Sequence, residues 1–336
     1  MKYKGAVIGC GFFATNHLHA WQEQDPVEIV ALCDTNEEKA KKMATEFGID
    51  RVYTDARQLF DQETLDFVDI VTTVESHRDL VEAACLSSAR LIVCQKPFAR
   101  SLQDAEAMVA CADRSGKMLA VHENFRYQRA FQEMHQRVAA GEIGKINFAQ
   151  ISFRTHYDVY RNQPYLALEE RFLIMDIGLH LFDLVRHLVG DVVMLTCTTQ
   201  RLNPNIQGED AFTCLLHHKT GATSIVDASY SSWYCPDPFP QTLATLEGTE
   251  GTMELVSGYR LKIHANGASR ELDLEPSVPQ WGAKPWHAIQ DSVLRFQEHI
   301  VSVLMGEGFP QPSGAHNTET LKLALNAYMS AEQDWP

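Results

Sequence analysis

The first 34 residues carry the feature that most constrains the fold of this chain. An apolar strand at 4–8 runs into the turn Gly9-Cys10-Gly11-Phe12-Phe13-Ala14, a helix follows, and a second apolar strand ends at Asp34. Gly9 permits a tight turn, Gly11 lets the backbone approach a bound pyrophosphate, and Ala14 lets the helix pack closely on the strand. Phosphates are stabilised at such a helix N-terminus by N–H groups and by the helix dipole. The pattern therefore predicts a dinucleotide-binding unit.

The same unit indicates which cofactor binds. Gly9, Gly11, Phe12 and Phe13 belong to the predicted cofactor-binding turn. Asp34 lies where an acid accepts hydrogen bonds from a ribose diol, and a carboxylate there repels a 2′-phosphate. No arginine directly follows Asp34. The sequence therefore predicts NAD, with NADP less favoured. The alternative, a glycine turn that serves packing alone, is disfavoured by the strand, helix and acid around it.

Composition limits the classes of partner. The chain has 336 residues, enough for two domains, with 29 basic and 44 acidic residues and a net charge of −15. That charge argues against nucleic acid or an anionic membrane surface as the main partner. No stretch reaches the ~18 apolar residues that a membrane span needs. The eight cysteines include no C-x-x-C pair and most lie in apolar segments, which indicates free thiols in a reducing compartment. We therefore expect a cytoplasmic protein.

Strand and helix patterns alternate through about residue 121 and then change. The alternating apolar strands and helical periods lie at 36–47, 66–72, 77–86, 90–94, 102–114 and 117–121. Such alternation is typical of a doubly wound parallel sheet. From about 192 to 274, short strands are separated by glycine-containing turns, which indicates an antiparallel meander. We predict an α/β protein with a Rossmann domain at 1–121 and an α+β domain at 122–336 that carries a large, mostly antiparallel open sheet.

Lys96 is the first candidate for chemistry. It follows the strand at 91–94 and precedes Pro97, and ligands of parallel sheets bind at the carboxyl ends of the strands. An ammonium group there polarises a hydroxyl or stabilises an alkoxide. The alternative is an ordinary surface lysine.

The segment Asp176-Ile177-Gly178-Leu179-His180-Leu181-Phe182-Asp183 is the second candidate. On a predicted helix at 175–189, Asp176, His180 and Asp183 share one face, which His187 continues. A carboxylate aligned with an imidazole suits general acid–base chemistry. Three alternatives remain: exposed helix residues, a hydrogen-bonded interior histidine, and a metal site. We expect no metal.

Residues just past the last predicted Rossmann strand form a third group. Asn124 and Arg126 would lie at the domain junction, where substrate pockets are common. They would bind substrate hydroxyls or support Lys96, and the alternative is a polar linker. Tyr157 is a further substrate-binding candidate, for which the alternative is an ordinary loop or sheet-face role.

Together these residues resemble the Gfo/Idh/MocA oxidoreductase family over nearly the whole chain. The likeness rests on the glycine turn at 9–14, on Lys96-Pro97, and on Asp176-x-Gly178-x-His180-x-x-Asp183. It implies an NAD(P)-binding Rossmann domain and hydride transfer at a carbinol carbon of a sugar or cyclitol. It also implies that Lys96, Asp176 and His180 are catalytic, and that Asp176 and His180 contact substrate. Some relatives hold this Lys–Pro bond in the cis form, and the open sheet commonly forms their dimer interface.

Two departures from the family pattern concern the cofactor side. The family usually has Glu before Lys-Pro, whereas this chain has Gln95, which keeps hydrogen bonding but removes a charge beside Lys96. At the end of the fourth strand Thr72 and His77 match the family, but its Pro and Asn are absent. The resemblance implies that Thr72, His77, Gln95 and Lys96 contact the cofactor.

The sequence therefore predicts an NAD-dependent oxidoreductase that acts on a sugar, sugar acid or cyclitol. His180 would accept the hydroxyl proton, Lys96 would stabilise the alkoxide, and Asp176 would bind a substrate hydroxyl; Lys96 as the base remains an alternative. Two other classes stay open: a redox-neutral enzyme that cleaves or eliminates a glycosidic group on tightly bound NAD, and an NAD-sensing protein without turnover. We also predict a homodimer or homotetramer through the open sheet, because its strands carry apolar side chains on both faces.

Overall fold

A computed structural model of the chain describes residues 2–333, which form two compact units. The first contains residues up to 124 together with 293–321, and the second contains 125–292 and the residues from 322 onward. Residue 1 and residues 334–336 of the predicted domains lie outside the described part. The first unit thus ends its N-terminal part at residue 124, where the predicted division is at 121, and it also contains 293–321, which the prediction assigns to the second domain.

The first unit is built on a parallel sheet. Its strands are β1 (Tyr3–Ile8), β2 (Val27–Cys33), β3 (Arg51–Tyr53), β4 (Phe67–Ile70), β5 (Leu91–Gln95) and β6 (Met118–His122). All pair in parallel, in the order β3-β2-β1-β4-β5-β6. This is the strand order of a doubly wound dinucleotide-binding fold, so the predicted parallel sheet is confirmed.

Helices connect these strands. They are α1 (Ala14–Gln22), α2 (Glu37–Phe47), α3 (Ala56–Gln62), α4 (His77–Cys85) and α5 (Leu102–Arg114). Local capping explains several boundaries: the Asn36 side chain accepts the N–H of Lys39 at the start of α2, and Ser101 does the same for Asp104 at the start of α5. The short β3 and α3 have too few residues to give a periodic signal.

Residues 293–321 pack with the first unit through specific contacts. The Phe296 ring lies 4.4 Å from the His122 ring. The Gln297 side chain donates to the His17 carbonyl at 3.1 Å, and the N–H of Val121 donates to the Pro312 carbonyl at 3.1 Å. A contiguous division at 121 could not anticipate this, because no composition shift marks residue 293.

The second unit is built on a mixed sheet. Its strands are β7 (Ile146–Arg154), β8 (Val192–Gln200), β9 (Ala211–His218), β10 (Thr223–Ser229), β11 (Leu243–Gly248), β12 (Gly251–Val256), β13 (Arg260–Ala265) and β14 (Ala268–Asp273). The order is β14-β13-β12-β11-β7-β10-β9-β8. β7 and β10 pair in parallel and the other neighbours are antiparallel. The mostly antiparallel open sheet is confirmed, but the meander is wrong at one point, because β7 inserts between β10 and β11.

Four further α-helices lie within residues 2–333. They are α6 (Arg129–Ala139), α7 (Leu179–Val189), α8 (His287–Leu304) and α9 (Gly314–Ala331). α7 packs against β7 and β10, and every residue of α7 but His187 is buried. Along 2–333, no helix is long and apolar enough to cross a bilayer.

Candidate active site

The glycine turn has the geometry that the cofactor prediction requires. Gly9 has φ of 102°, and a Cβ there would lie 2.4 Å from the Val71 carbonyl oxygen. Gly11 has no atom within 4 Å of the place where its Cβ would be, so the backbone is open to close approach. α1 begins at Ala14, and no side-chain hydrogen bond caps its start. The turn therefore fits a pyrophosphate at the helix N-terminus.

Asp34 lies beside this turn. Its Oδ2 accepts the N–H of Cys10 at 2.7 Å, and its Oδ1 accepts the N–H of Asn36 at 2.8 Å. A carboxylate has about four acceptor positions, so both oxygens keep capacity for a ribose diol. Burial, together with the Asp34 charge, raises the pKa of the Cys10 thiol to about 12, which keeps that thiol neutral.

The other residues predicted to bind the cofactor differ in how exposed they are. Phe12 is exposed at the turn, and Thr72 accepts a hydrogen bond from the Ser76 hydroxyl at 2.8 Å. His77 is fully buried, and its ring nitrogens lie 3.2 Å and 3.1 Å from the carbonyl oxygens of Phe98 and Thr72. Burial lowers the pKa of His77. His77 thus bridges these two loops, and its contact with the cofactor stays a prediction.

Lys96 follows β5 and is half-buried. The Lys96–Pro97 peptide is cis, which confirms the form expected from the resemblance. The backbone N–H of Lys96 donates to Gln95 Oε1 at 2.7 Å. Gln95 itself is buried, so its side chain acts on the lysine backbone from within the unit.

Asp176 and His180 do not lie on one continuous α-helix as predicted. Ile174–Gly178 forms a π-turn, in which the Leu179 N–H reaches the Ile174 carbonyl, and α7 begins only at Leu179. A Cβ at Gly178 would lie 3.2 Å from the Phe212 ring of β9, so glycine permits close packing on the sheet. The π-turn leaves Asp176 half-buried while His180 is buried.

His180 and Asp183 are held by neighbours from the segment just before α6. The His180 ring stacks on the Phe125 ring, with 3.8 Å between centroids and 3° between planes. Asp183 accepts Arg126 Nε at 2.7 Å and a second bond from Arg126 Nη2, in a fully buried pair. The predicted face is thus partly an internal ion pair. Direct contact of Arg126 with substrate stays a prediction.

Asp176 lies among tyrosines that the sequence analysis did not single out. Burial and the Asp176 charge raise the pKa of Tyr160 to about 12 and that of Tyr230 well above its usual value. The Asp176 charge also acts on Tyr165, whose side chain is 57% exposed. Two of them belong to short 3-10 turns, Val159–Arg161 and Pro164–Leu168. In the sequence, the only signal for these tyrosines is the number of aromatic residues in that loop.

Tyr157 lines an open cavity of about 380 Å³ in the second unit. The other lining residues are His156, Asp158, Asp237, Phe239 and Pro285.

Two fixed groups shape this cavity. Tyr157 stacks on Phe239, with 3.8 Å between centroids. The His156 Nδ1 atom lies 2.6 Å from Asp237 Oδ2. Burial opposes ionisation of Asp237, but hydrogen bonds from His156, Thr155 and Phe239 outweigh it and lower the pKa of that carboxyl. The cavity therefore has a fixed aromatic wall beside a carboxylate that the surrounding loops hold in place, and contact of Tyr157 with substrate stays a prediction.

Asn124 opens the 3-10 segment Asn124–Tyr127 and is buried, so its contact with substrate stays a prediction. Within residues 2–333, no group of three or more His, Cys, Asp or Glu side chains is arranged to hold a metal ion.

Comparison with known proteins adds independent findings. Residues 3–123 match the model of an oxidoreductase family with an NAD-binding Rossmann fold, and residues 131–254 match the GFO/IDH/MocA C-terminal domain. The chain is 48% identical to the D-apiose dehydrogenase of Paraburkholderia graminis, over 99% of this chain and 88% of that protein. It is 47% identical to the D-apiose dehydrogenase of Rhizobium rhizogenes, over 98% and 95%.

A solved structure extends the likeness to three dimensions. An oxidoreductase from Agrobacterium radiobacter, crystallised with NAD+, L-tartaric acid and magnesium, superposes with a TM-score of 0.96 at 46% identity, covering 98% of this chain and 96% of that one. Both domains of the family are therefore present over almost the whole length. The fold, the NAD cofactor and the enzyme class predicted from the sequence are confirmed, and the chain belongs to the GFO/IDH/MocA family of NAD-dependent oxidoreductases.

Proposed function

We propose that this chain oxidises D-apiose, or a pentose of very similar shape, with NAD. The observation that carries the proposal is the 47–48% identity over 98–99% of the chain to two D-apiose dehydrogenases. The intact Lys96, Asp176 and His180 support turnover over a purely cofactor-sensing role.

In this proposal, three residues perform the chemistry around the reacting carbinol. When bound, NAD supplies the hydride acceptor. His180 takes the hydroxyl proton, so that the C–O bond becomes a carbonyl as the C–H electron pair leaves. The Lys96 ammonium stabilises the alkoxide that forms during this step. Asp176 accepts a hydrogen bond from a second substrate hydroxyl, which fixes the orientation of the sugar.

The surroundings of His180 support its role as the base. Stacking on Phe125 at 3.8 Å fixes the plane of the imidazole. Arg126, the next residue, is anchored by Asp183 one turn along α7. A base held in one orientation needs no reorganisation during proton transfer.

Steady-state kinetics test the proposal directly. The purified protein is mixed with NAD and D-apiose, or with a panel of pentoses, hexoses and inositols, and NADH is followed by absorbance. His180→Asn and Lys96→Met should each lower kcat by roughly 10²- to 10⁴-fold. Lys219→Met, at an exposed turn, is the matched control and should retain activity. Equal activity of native and His180→Asn protein would refute His180 as the base.

The same assay separates the two remaining classes. A redox-neutral enzyme would consume substrate without accumulating NADH, because the hydride returns to the product. A sensing protein would bind NAD and convert no sugar. Stoichiometric NADH production supports the dehydrogenase.

We further propose that the open sheet face forms a homo-oligomer. Leu215 of β9 and Ile225 of β10 are cross-strand partners on the side that alternates outward, and Leu215 remains 41% exposed. The same face also carries a polar cluster in which Asp227 accepts Ser152 Oγ at 3.0 Å and Arg154 Nε. The face therefore carries both apolar and polar side chains, whereas the prediction from the sequence rested on its apolar residues alone.

Sedimentation tests the assembly. Leu215→Lys should lower the sedimentation coefficient of the native oligomer, because it places a charge in a buried interface. Leu86→Lys, at a residue that is 90% exposed in the first unit, is the control and should leave the assembly intact. A native monomer at micromolar concentration would exclude the proposal.

A further inference from the structure

Three buried polar side chains of the first unit form a continuous hydrogen-bonded chain. His17 Nδ1 of α1 lies 2.8 Å from Asp69 Oδ2 of β4, and Gln95 Nε2 of β5 lies 3.1 Å from His17 Nε2. Gln95 Oε1 then accepts the backbone N–H of Lys96 at 2.7 Å. His17 and Asp69 are fully buried and Gln95 is 7% exposed. We call this arrangement the Asp69–His17–Gln95 chain.

The Lys96 N–H fixes which atom donates and which accepts in every hydrogen bond of this chain. The Lys96 N–H can only donate, so the Gln95 carbonyl oxygen must face it and the Gln95 amide nitrogen must face His17. His17 Nε2 therefore accepts, and its proton lies on Nδ1, where the Asp69 carboxylate accepts it. Each member thus sets the orientation of the next.

Rigid neighbours hold the far end of the chain. Trp21 Nε1 donates to the same Asp69 Oδ2 at 2.7 Å, and Gln297 Nε2 donates to the His17 carbonyl at 3.1 Å. The titratable groups packed against His17 are Asp69 and the His122 ring, whose centroid lies 4.1 Å away. These buried hydrogen bonds restrict the rotamers of His17 and Asp69.

We propose that the Asp69–His17–Gln95 chain positions Lys96 for its part in the reaction, and that Gln95 is matched to His17 in this role. The inference rests on the proposed function of Lys96. A glutamate at position 95 would face the His17 Nε2 lone pair with a second acceptor. That arrangement is stable only when one additional proton is bound, on His17 or on the new carboxyl. The amide avoids this requirement and keeps the backbone of Lys96 in one place at every working pH.

The first test needs no substrate. In ¹⁵N-labelled native protein, the His17 ring should show a protonated Nδ1 and an unprotonated Nε2. The His17→Gln spectrum assigns the signal. A proton on Nε2 would overturn the proposed direction of the chain.

The second test compares kcat across pH for Gln95→Glu. Because its extra proton is lost as the pH rises, kcat should fall roughly 10- to 100-fold relative to native at about pH 9 and much less at about pH 6. Adding His17→Gln should abolish this additional pH dependence, because the new amide donates to the carboxylate without titrating. A purely structural role would lower activity equally at every pH. If the ratio of the kcat of Gln95→Glu to the native kcat does not change with pH, the proposal is refuted.

A matched control separates positioning from general destabilisation. His218 of the second unit is also buried, and its ring nitrogens lie 2.7 Å from the Gly190 carbonyl and 2.7 Å from Ser224 Oγ. His218→Gln should lower the unfolding midpoint about as much as His17→Gln while leaving kcat near native. An equal loss of kcat in both variants would count against the chain. If the native protein oxidises no sugar, the proposed function fails, and the ¹⁵N spectrum still decides whether the chain exists.

Discussion

The buried pair of Arg126 and Asp183 makes a quantitative prediction for stability. Their side chains are 3% and 0% exposed and share two hydrogen bonds. Asp183→Asn removes the carboxylate charge and leaves the guanidinium buried without its counterion. Breaking a buried pair from one side costs about 3–5 kcal/mol. With a urea m-value near 3 kcal/mol/M, the unfolding midpoint should fall by roughly 1–1.7 M.

Urea denaturation followed by circular dichroism measures this change. Arg260 and Glu271 form an exposed pair, 55% and 40% exposed, so Glu271→Gln is the control and should cost at most about 1 kcal/mol. Arg126→Met combined with Asp183→Leu should recover most of the loss, because an apolar pair replaces two buried charges. If Asp183→Asn lies within about 1 kcal/mol of native, the buried pair does not stabilise this segment.

Three further predictions concern the cofactor turn and pH. Gly9→Ala should destabilise the fold by about 1–3 kcal/mol or more, because its Cβ would lie 2.4 Å from the Val71 carbonyl oxygen, whereas Gly11→Ala should keep the native melting temperature yet weaken NAD binding in calorimetry. Asp34→Ala should weaken NAD more than NADP, since the charge that repels a 2′-phosphate is lost; native protein that binds NADP more tightly than NAD would contradict this. Burial lowers the pKa of His218 from 6.5, so the unfolded chain binds more protons in acid and stability should fall as the pH drops below 6.5. His218→Gln should flatten that slope in denaturation measured from acid to neutral pH.

The Rossmann unit could be predicted almost completely, for a local physical reason. Apart from the short β3 and α3 and residues 293–321, the strands there are short apolar runs and the helices have apolar periods of their own, with glycine or a polar cap at several boundaries. These signals act within about ten residues, so no distant contact is needed to place them. The preference for right-handed crossovers then limits how the strands connect, but it does not by itself fix their order.

The second unit shows where local signals end. Nothing in residues 146–154 indicates that β7 pairs in parallel with β10 and antiparallel with β11. The alternation of apolar and polar residues along a strand is the same for parallel and antiparallel pairing. The role of Arg126 depends on Asp183, 57 residues away. In the Asp69–His17–Gln95 chain that reaches Lys96, His17 lies 78 residues before Gln95 in the sequence. Such pairings are set by the tertiary fold, and one sequence does not reveal them.

The π-turn at Ile174–Gly178 explains why helical spacing only partly described the site. An α-helix would give Asp176 and His180 the same face and the same burial. The wider turn lets Asp176 stay half-buried near the tyrosines while His180 is buried against Phe125. In the proposed mechanism, Asp176 needs access to bind a substrate hydroxyl, and His180 needs packing to hold the plane of its ring. π-Turns are frequent at functional sites, and here the turn meets both needs within five residues of the chain.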